Sequence, residues 1–416
     1  MSKRNSIIII LTVLLLIIGG LFFFYSRSGN TGTGNQASST QSAVNPFGSN
    51  ATNKTTTGTT GGNTGNNTQT NTTNGNTAKL TQLYANPTSG SVFFASKSNQ
   101  DVLEFVDRAN GNVYQYLPQS QSGQPTRLTD TTIPKIEEVK WSPTGNNLVY
   151  RYLDNNNTDT IDSFSGTITG TSTGGNLRQI AGTFLSVDLA QMAVSPKGDK
   201  IFGLWKKNDG SGSFGVLSNL DGTNKKQIFN SSASSWNISW PTNTLVTFTT
   251  RPTYKDYGYL FFFNTQTYSF ERILGDIAGL STLTNSDGSL IAYSRSQDKA
   301  FSLNIYDTKN KTDESIPLAT LADKCVWSTK NTNILYCAVP QSIPSDTYPD
   351  AWYQGTEFFQ DNIWMIDANS GVTTQLYQIG VNESASIDAM NLTISPDDKY
   401  LSFSNKNDLS LWILGL

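Results

Sequence analysis

Three stretches constrain this chain more than any other feature: WSPTGNNLVY (Trp141–Tyr150), VSPKGDKIFG (Val194–Gly203) and ISPDDKYLSF (Ile394–Phe403). Each reads as an apolar lead-in, a Pro-led turn and an alternating apolar strand. Pro at the second turn position presets φ for a type I turn, and Gly at the fourth suits the exit. Four weaker copies complete a series of seven: ANPTSGSVFFAS from Ala85, SWPTNTLVTF from Ser239, LTNSDGSLIAYS from Leu283 and VWSTKNTNILYC from Val326. In most copies a third strand follows and ends in an Asp- or Asn-led turn, as in FVDRANG at Phe105, LSNLDG at Leu217, NIYDTKN at Asn304 and IWMIDANSG at Ile363. A short fourth strand comes next, as in PTRLT, NLRQI, KKQIF and FERIL. Four antiparallel strands repeating at about 48 residues fit the blades of a β-propeller. The fold class is therefore all-β, with seven four-stranded blades expected and six or eight also compatible with the spacing.

The last copy stops at LSLWILGL, its third strand, so a closed ring needs one strand from elsewhere. Lys79–Tyr84 (KLTQLY) is the candidate, although it could equally open the first blade. The turn phrases resemble those of the TolB-type, WD-repeat-like propellers, whose pattern is Ser-Pro-Asp-Gly, a strand, then an apolar strand ending near Asp-Gly. Ser195-Pro196-Lys197-Gly198 and Ser395-Pro396-Asp397-Asp398 match the first element in part, and Leu220-Asp221-Gly222 matches the second. The resemblance covers about Leu80 to Leu416. It implies the fold and brings no catalytic residues with it.

Three segments precede the repeat. Residues 1–6 form a short basic tip, and residues 7–25 (IIIILTVLLLIIGGLFFFY) carry no charge. That run is about long enough to cross a bilayer as a helix, and its closing aromatics suit an interfacial belt better than a cleavage site. An uncleaved signal anchor is expected, and Lys3 and Arg4 place the tip in the cytoplasm and the rest outside it at the cell membrane. Residues 26–78, nearly all Gly, Asn, Thr, Ser and Gln, lack the apolar surface to offset chain entropy and read as a disordered linker. The propeller domain then occupies residues 79–416.

Composition narrows the function. The chain has no histidine, which removes Ser-His-Asp and Cys-His catalysis and imidazole metal ligands. Residues 1–78 hold four basic side chains and no acidic one, so the remainder carries 29 − 4 = 25 basic against 32 acidic groups, a net of −7. That sign argues against nucleic acid. DNNNTDTID (Asp154–Asp162) lacks the Gly and closing Glu of a calcium loop and reads as a polar loop. No metal or other cofactor is expected.

Two features remain. Cys325 and Cys337 lie on the two strands flanking one hairpin, each a few residues from its turn, within disulfide reach if directly opposed; an oxidising compartment would let them pair, and two reduced core cysteines are the alternative. The copy that contains them also breaks the pattern. Between its second and third strands, Pro340–Trp364 inserts Tyr348, Trp352, Tyr353, Phe358 and Phe359 among Asp350, Glu357 and Asp361. Long loops on a rigid scaffold are where binding usually sits, so these eight residues form the candidate binding surface. Packing onto the blade edge is the competing reading. A protein partner is the expected ligand, which makes the domain a binding module or scaffold; a carbohydrate-binding or carboxylate-dependent, glycan-hydrolysing envelope protein is the alternative.

Overall fold

The computed structural model describes residues 79–120, 123–154, 160–171, 177–380, 383 and 385–416. The expected basic tip, membrane helix and linker lie outside the described residues, as does most of the 154–162 loop. Among the described residues no helix is long and apolar enough to cross a membrane.

Residues 79–416 form seven four-stranded antiparallel sheets, the blades of a propeller, numbered one to seven by their inner strands Thr88–Ala95, Ile136–Trp141, Leu189–Val194, Trp236–Ser239, Ser281–Thr284, Cys325–Trp327 and Ala389–Ile394. The first strands of neighbouring blades pack against one another and form the inner wall of the ring. The recurring turns share one backbone solution. In Ser142–Gly145, Ser195–Gly198, Asn285–Gly288 and Ser395–Asp398 the fourth N–H donates to the first carbonyl at 3.0, 2.8, 3.1 and 2.9 Å. Each fourth residue has a positive φ (72°, 69°, 78° and 60°). Glycine meets this requirement at three of the turns. At the last, Asp398 takes the left-handed conformation and accepts hydrogen bonds from Ser328 and Thr329 of the neighbouring blade.

The ring closes through its ends. The last blade consists of Ala389–Ile394, Tyr400–Asn405, Leu411–Gly415 and, as its outer strand, Lys79–Tyr84. Leu80 lies opposite Leu414, and Thr81 opposite Ile413. The first blade must then begin afresh at its inner strand, Thr88–Ala95. This corrects the alignment of the first copy. Ala85–Pro87 connects two blades, and the inner hairpin of blade one turns instead at Ser96–Gln100, with Asn99 at φ 58°. FVDRANG accordingly joins the second and third strands of its blade rather than the third and fourth.

Apolar side chains from adjacent blades meet in shared clusters. Phe202 and Phe229 of blade three pack against Trp236, Phe248 and Phe263 of blade four, with Phe229 and Phe248 ring centroids 4.3 Å apart. Trp327 packs between blades five and six, and its indole N–H donates to the Leu283 carbonyl at 3.0 Å. Cys325 and Cys337 are directly opposed on the first two strands of blade six, and they form the expected disulfide within this buried cluster.

Two measurements check these points. At Gly198 an added Cβ would meet Ser142 Oγ at 2.0 Å, whereas at Gly210, with a similar positive φ of 72°, it would meet nothing within 4 Å. Gly198→Ala should lower stability by more than about 2 kcal/mol and Gly210→Ala by about 1, the part owed to backbone conformation. Urea unfolding compares the two, and equal losses would show that the close approach is immaterial. Replacing both cysteines by serine frees a loop with a sequence separation of 12 and should cost about 3 kcal/mol by loop entropy. Thermal unfolding with and without reductant tests this, and superposed curves would refute it.

Candidate binding face

In blade six the second strand ends at Pro340 and the third begins at Asp361. The chain between them crosses the face of the propeller as a strap, with one helical turn at Asp350–Tyr353. It docks first on blade five, where the Asp346 N–H donates to the Lys299 carbonyl at 3.4 Å and Ser296 Oγ donates to the Tyr348 carbonyl. The Tyr348 ring sits edge-on to Phe301 with centroids 5.1 Å apart. It reaches blade four through Asp350, whose carboxylate accepts from Thr253 Oγ1 at 2.9 Å and from the Tyr254 N–H at 2.7 Å. On blade seven, Lys406 Nζ donates to the Glu357 carbonyl at 3.2 Å and lies 4.0 Å from the centre of the Phe358 ring.

Beneath the strap lies a charged cluster that the sequence reading did not identify. Lys324, at the end of a short 3-10 turn, has no exposed surface, and neither do Asp361 and Asp388. Its ammonium meets Asp361 Oδ2 at 2.8 Å, the Ala389 carbonyl at 2.9 Å and Asp388 Oδ1. Asp388 Oδ2 accepts from the Trp352 indole at 2.9 Å and from the Phe359 N–H at 3.1 Å. Asp361 Oδ2 also accepts the Ala389 N–H at 2.7 Å, while its Oδ1 has no partner. Burial pushes the Asp361 carboxyl up to about 6; Lys324 opposes the shift and Asp388 adds to it.

The eight candidate residues therefore divide. Tyr348, Trp352, Phe359 and Asp361 are buried and hold the strap down. Asp350 and Glu357 are half-buried, the former with both oxygens bonded to blade four. Tyr353 and Phe358 are exposed, at 40% and 46%. The Tyr353 hydroxyl donates to Asp323, in the 3-10 turn Ala322–Lys324 that precedes the inner strand of blade six. The aromatic character that marked the insert is thus largely the apolar underside of a docked strap, with two rings left facing solvent.

Beside Tyr353 the same face opens into a cleft of about 1400 Å³, bounded by connections of blades two, three and four. Arg151, Lys206, Lys207 and Arg251 line it against Asp188 and Asp209. The basic residues were missed, although the repeat contains a signal for them: in successive copies a basic residue stands toward the end of the second strand or just after it. Arg151 is buried in the wall. Its guanidinium donates to Glu138 at 2.6 Å and to the Leu189 and Ala190 carbonyls at 2.6 and 3.3 Å, leaving Nε without a partner. Burial alone would raise the Glu138 carboxyl, but Lys140 and Arg151 together outweigh it and hold it at about 2. Trp205 stacks on Phe214 with centroids 5.9 Å apart, and its N–H is committed to the Val187 carbonyl at 3.0 Å.

The buried cluster can be tested through pH. Lys324→Met would leave two facing carboxylates in a dry interior and should cost about 3–5 kcal/mol. Asp361→Asn removes the excess negative charge and keeps an acceptor for Lys324. Because the folded carboxyl binds its proton more tightly than the unfolded value of 3.8 allows, wild type should lose stability relative to Asp361→Asn as pH rises from 3.8 to about 6. Above that the difference should be constant. Thermal unfolding of both proteins across this range measures it, and a flat difference would show that Asp361 does not titrate there.

Neither a protein-family model nor a curated protein matches the sequence. Among solved structures, the chain is similar to an oligogalacturonate lyase in complex with manganese, at 10% identity and a TM-score of 0.50 over 82% of this chain and 98% of that one. TolB from Acinetobacter baumannii is similar at 13% identity and a TM-score of 0.42, over 68% of this chain and 62% of that one. The β-propeller domain of the trilobed protease from Pyrococcus furiosus is similar at 11% identity and 0.42, over 65% and 77%. Among the described residues no group of three or more His, Cys, Asp or Glu is placed to hold a metal ion. At these identities the likeness is one of fold: residues 79–416 form a seven-bladed propeller that resembles the TolB-type, WD-repeat-like propellers.

Proposed function

We propose that this chain is a binding module at the outer face of the cell membrane, held there by residues 7–25 and the 26–78 linker, and that it recognises a protein partner through the face that bears the strap. One observation carries the reading. The strap fastens blade six to blades four, five and seven, while the adjoining cleft keeps cationic and aromatic side chains open to solvent. A rigid disc with one open, chemically distinct face is a platform for recognition. The apolar 19-residue run and the short basic tip supply the anchoring part of the reading.

Crosslinking on intact cells tests it. The full chain should fractionate with membranes, be digested by protease added from outside, and capture one envelope protein reproducibly. Tyr353→Ala combined with Phe358→Ala should reduce that capture by tenfold or more at unchanged thermal stability. Capture that persists undiminished would remove the strap face from recognition, and protection from external protease would overturn the placement.

A further inference from the structure

The cleft shows what kind of segment it would take. The domain is acidic overall, yet four basic residues stand around this opening against two acids. One of the acids, Asp209, is already engaged by the N–H of Ser211 at 2.9 Å. Lys206 and Arg251 are exposed and form no salt bridge among the described residues, and Lys207 is half-buried near Asp209. Arg151, only 6% exposed, is ion-paired with Glu138 in the wall, so the excess of positive charge rests on Lys206, Lys207 and Arg251. A cationic opening in an acidic surface concentrates and orients anionic partners.

Size and apolar content narrow the class further. At about 1400 Å³ the cleft exceeds the usual small-molecule pocket of roughly 300–1,000 Å³. Between the cations lie aliphatic surfaces, above all Val187 at 57% exposure, beside the half-buried Ile161. Aliphatic side chains of a peptide cover such surfaces, whereas a sugar has none to offer. The indoles present no free donor for sugar hydroxyls, since Trp205 donates to Val187 and Trp236 to the Ala233 carbonyl at 3.2 Å.

We propose that the cleft between blades two, three and four binds an acidic peptide segment in which carboxylates alternate with aliphatic side chains. The inference rests on the protein-binding reading above and names the segment of the partner that is held. Carboxylates pair with Lys206, Lys207 and Arg251, aliphatic groups cover Val187 and Ile161, and Tyr353 forms the far wall.

The test uses the full chain in detergent and a fluorescent twelve-residue peptide alternating Glu or Asp with Leu or Val, read by anisotropy. Micromolar binding is expected, weakening at least tenfold between 50 and 300 mM salt, lost with the matching Gln/Asn peptide, and weakened at least tenfold by Lys207→Glu with Arg251→Glu at unchanged unfolding temperature. Absence of binding, or binding indifferent to charge reversal, would overturn the proposal. Tighter binding of an oligo-uronate than of the peptide would overturn it in favour of a glycan. If the peptide fails while capture on cells still depends on Tyr353 and Phe358, this proposal falls and the protein-binding reading stands.

Discussion

A ring of blades has one seam, and everything else in this domain depends on how that seam is paired. Each blade presents unpaired backbone groups at its outer edge, and the last blade has only three strands from the carboxy-terminal end of the chain. Lys79–Tyr84 supplies the fourth, antiparallel to Leu411–Gly415, and fixes the ring by hydrogen bonds between the two ends of the domain. The joint extends into blade one, where the Thr88 N–H and hydroxyl both donate to the Leu409 carbonyl and the Tyr84 hydroxyl donates to Asp107 at 2.6 Å. Because the seam takes the first strand for blade seven, blade one is displaced by one strand relative to its sequence copy.

The strap gives the ring a second fastening on one face. Its anchor is electrostatic where the rest of the domain is apolar: a lysine between two aspartates, all without exposed surface. Such a cluster is costly unless its partners are in place. Asp388 is matched by the ammonium, an indole N–H and a backbone N–H, and Asp361 is matched on one oxygen alone. That asymmetry leaves one carboxylate in excess, and burial, with Asp388 adding to it, raises the Asp361 carboxyl. The fastening also decides which part of the face remains open. Blades five to seven are covered by the strap, and blades two to four surround the cleft.

Much of the architecture was legible because hairpins are local. A Pro or Gly at a fixed turn position, followed by period-two apolar residues, reports its own backbone geometry. Turns at Ser142, Ser195, Asn285 and Ser395 duly share one hydrogen bond and one positive φ. The Cys325–Cys337 pairing was legible for the same reason, since both cysteines lie a few residues from one turn on the strands it joins. The binding face was less legible. Trp352 and Tyr353 are neighbours in sequence, yet one indole is buried against Asp388 and the other ring stands 40% exposed. Lys324, Asp361 and Asp388 are far apart in the chain and carry no shared motif.

The sequence by itself determined the repeat, the four-strand blade, the missing last strand and the single blade with an insertion. Each follows from turn chemistry and periodicity over a few residues, and the closed ring fixed the blade number at seven. The tertiary structure alone decided which copy donates the seam strand, that the insertion is a strap with most of its aromatics beneath it, and that basic residues of three blades gather around one cleft. These outcomes depend on which residues face each other once the ring is closed, and burial, charge pairing and exposure at those contacts are properties of the assembled ring rather than of any one segment.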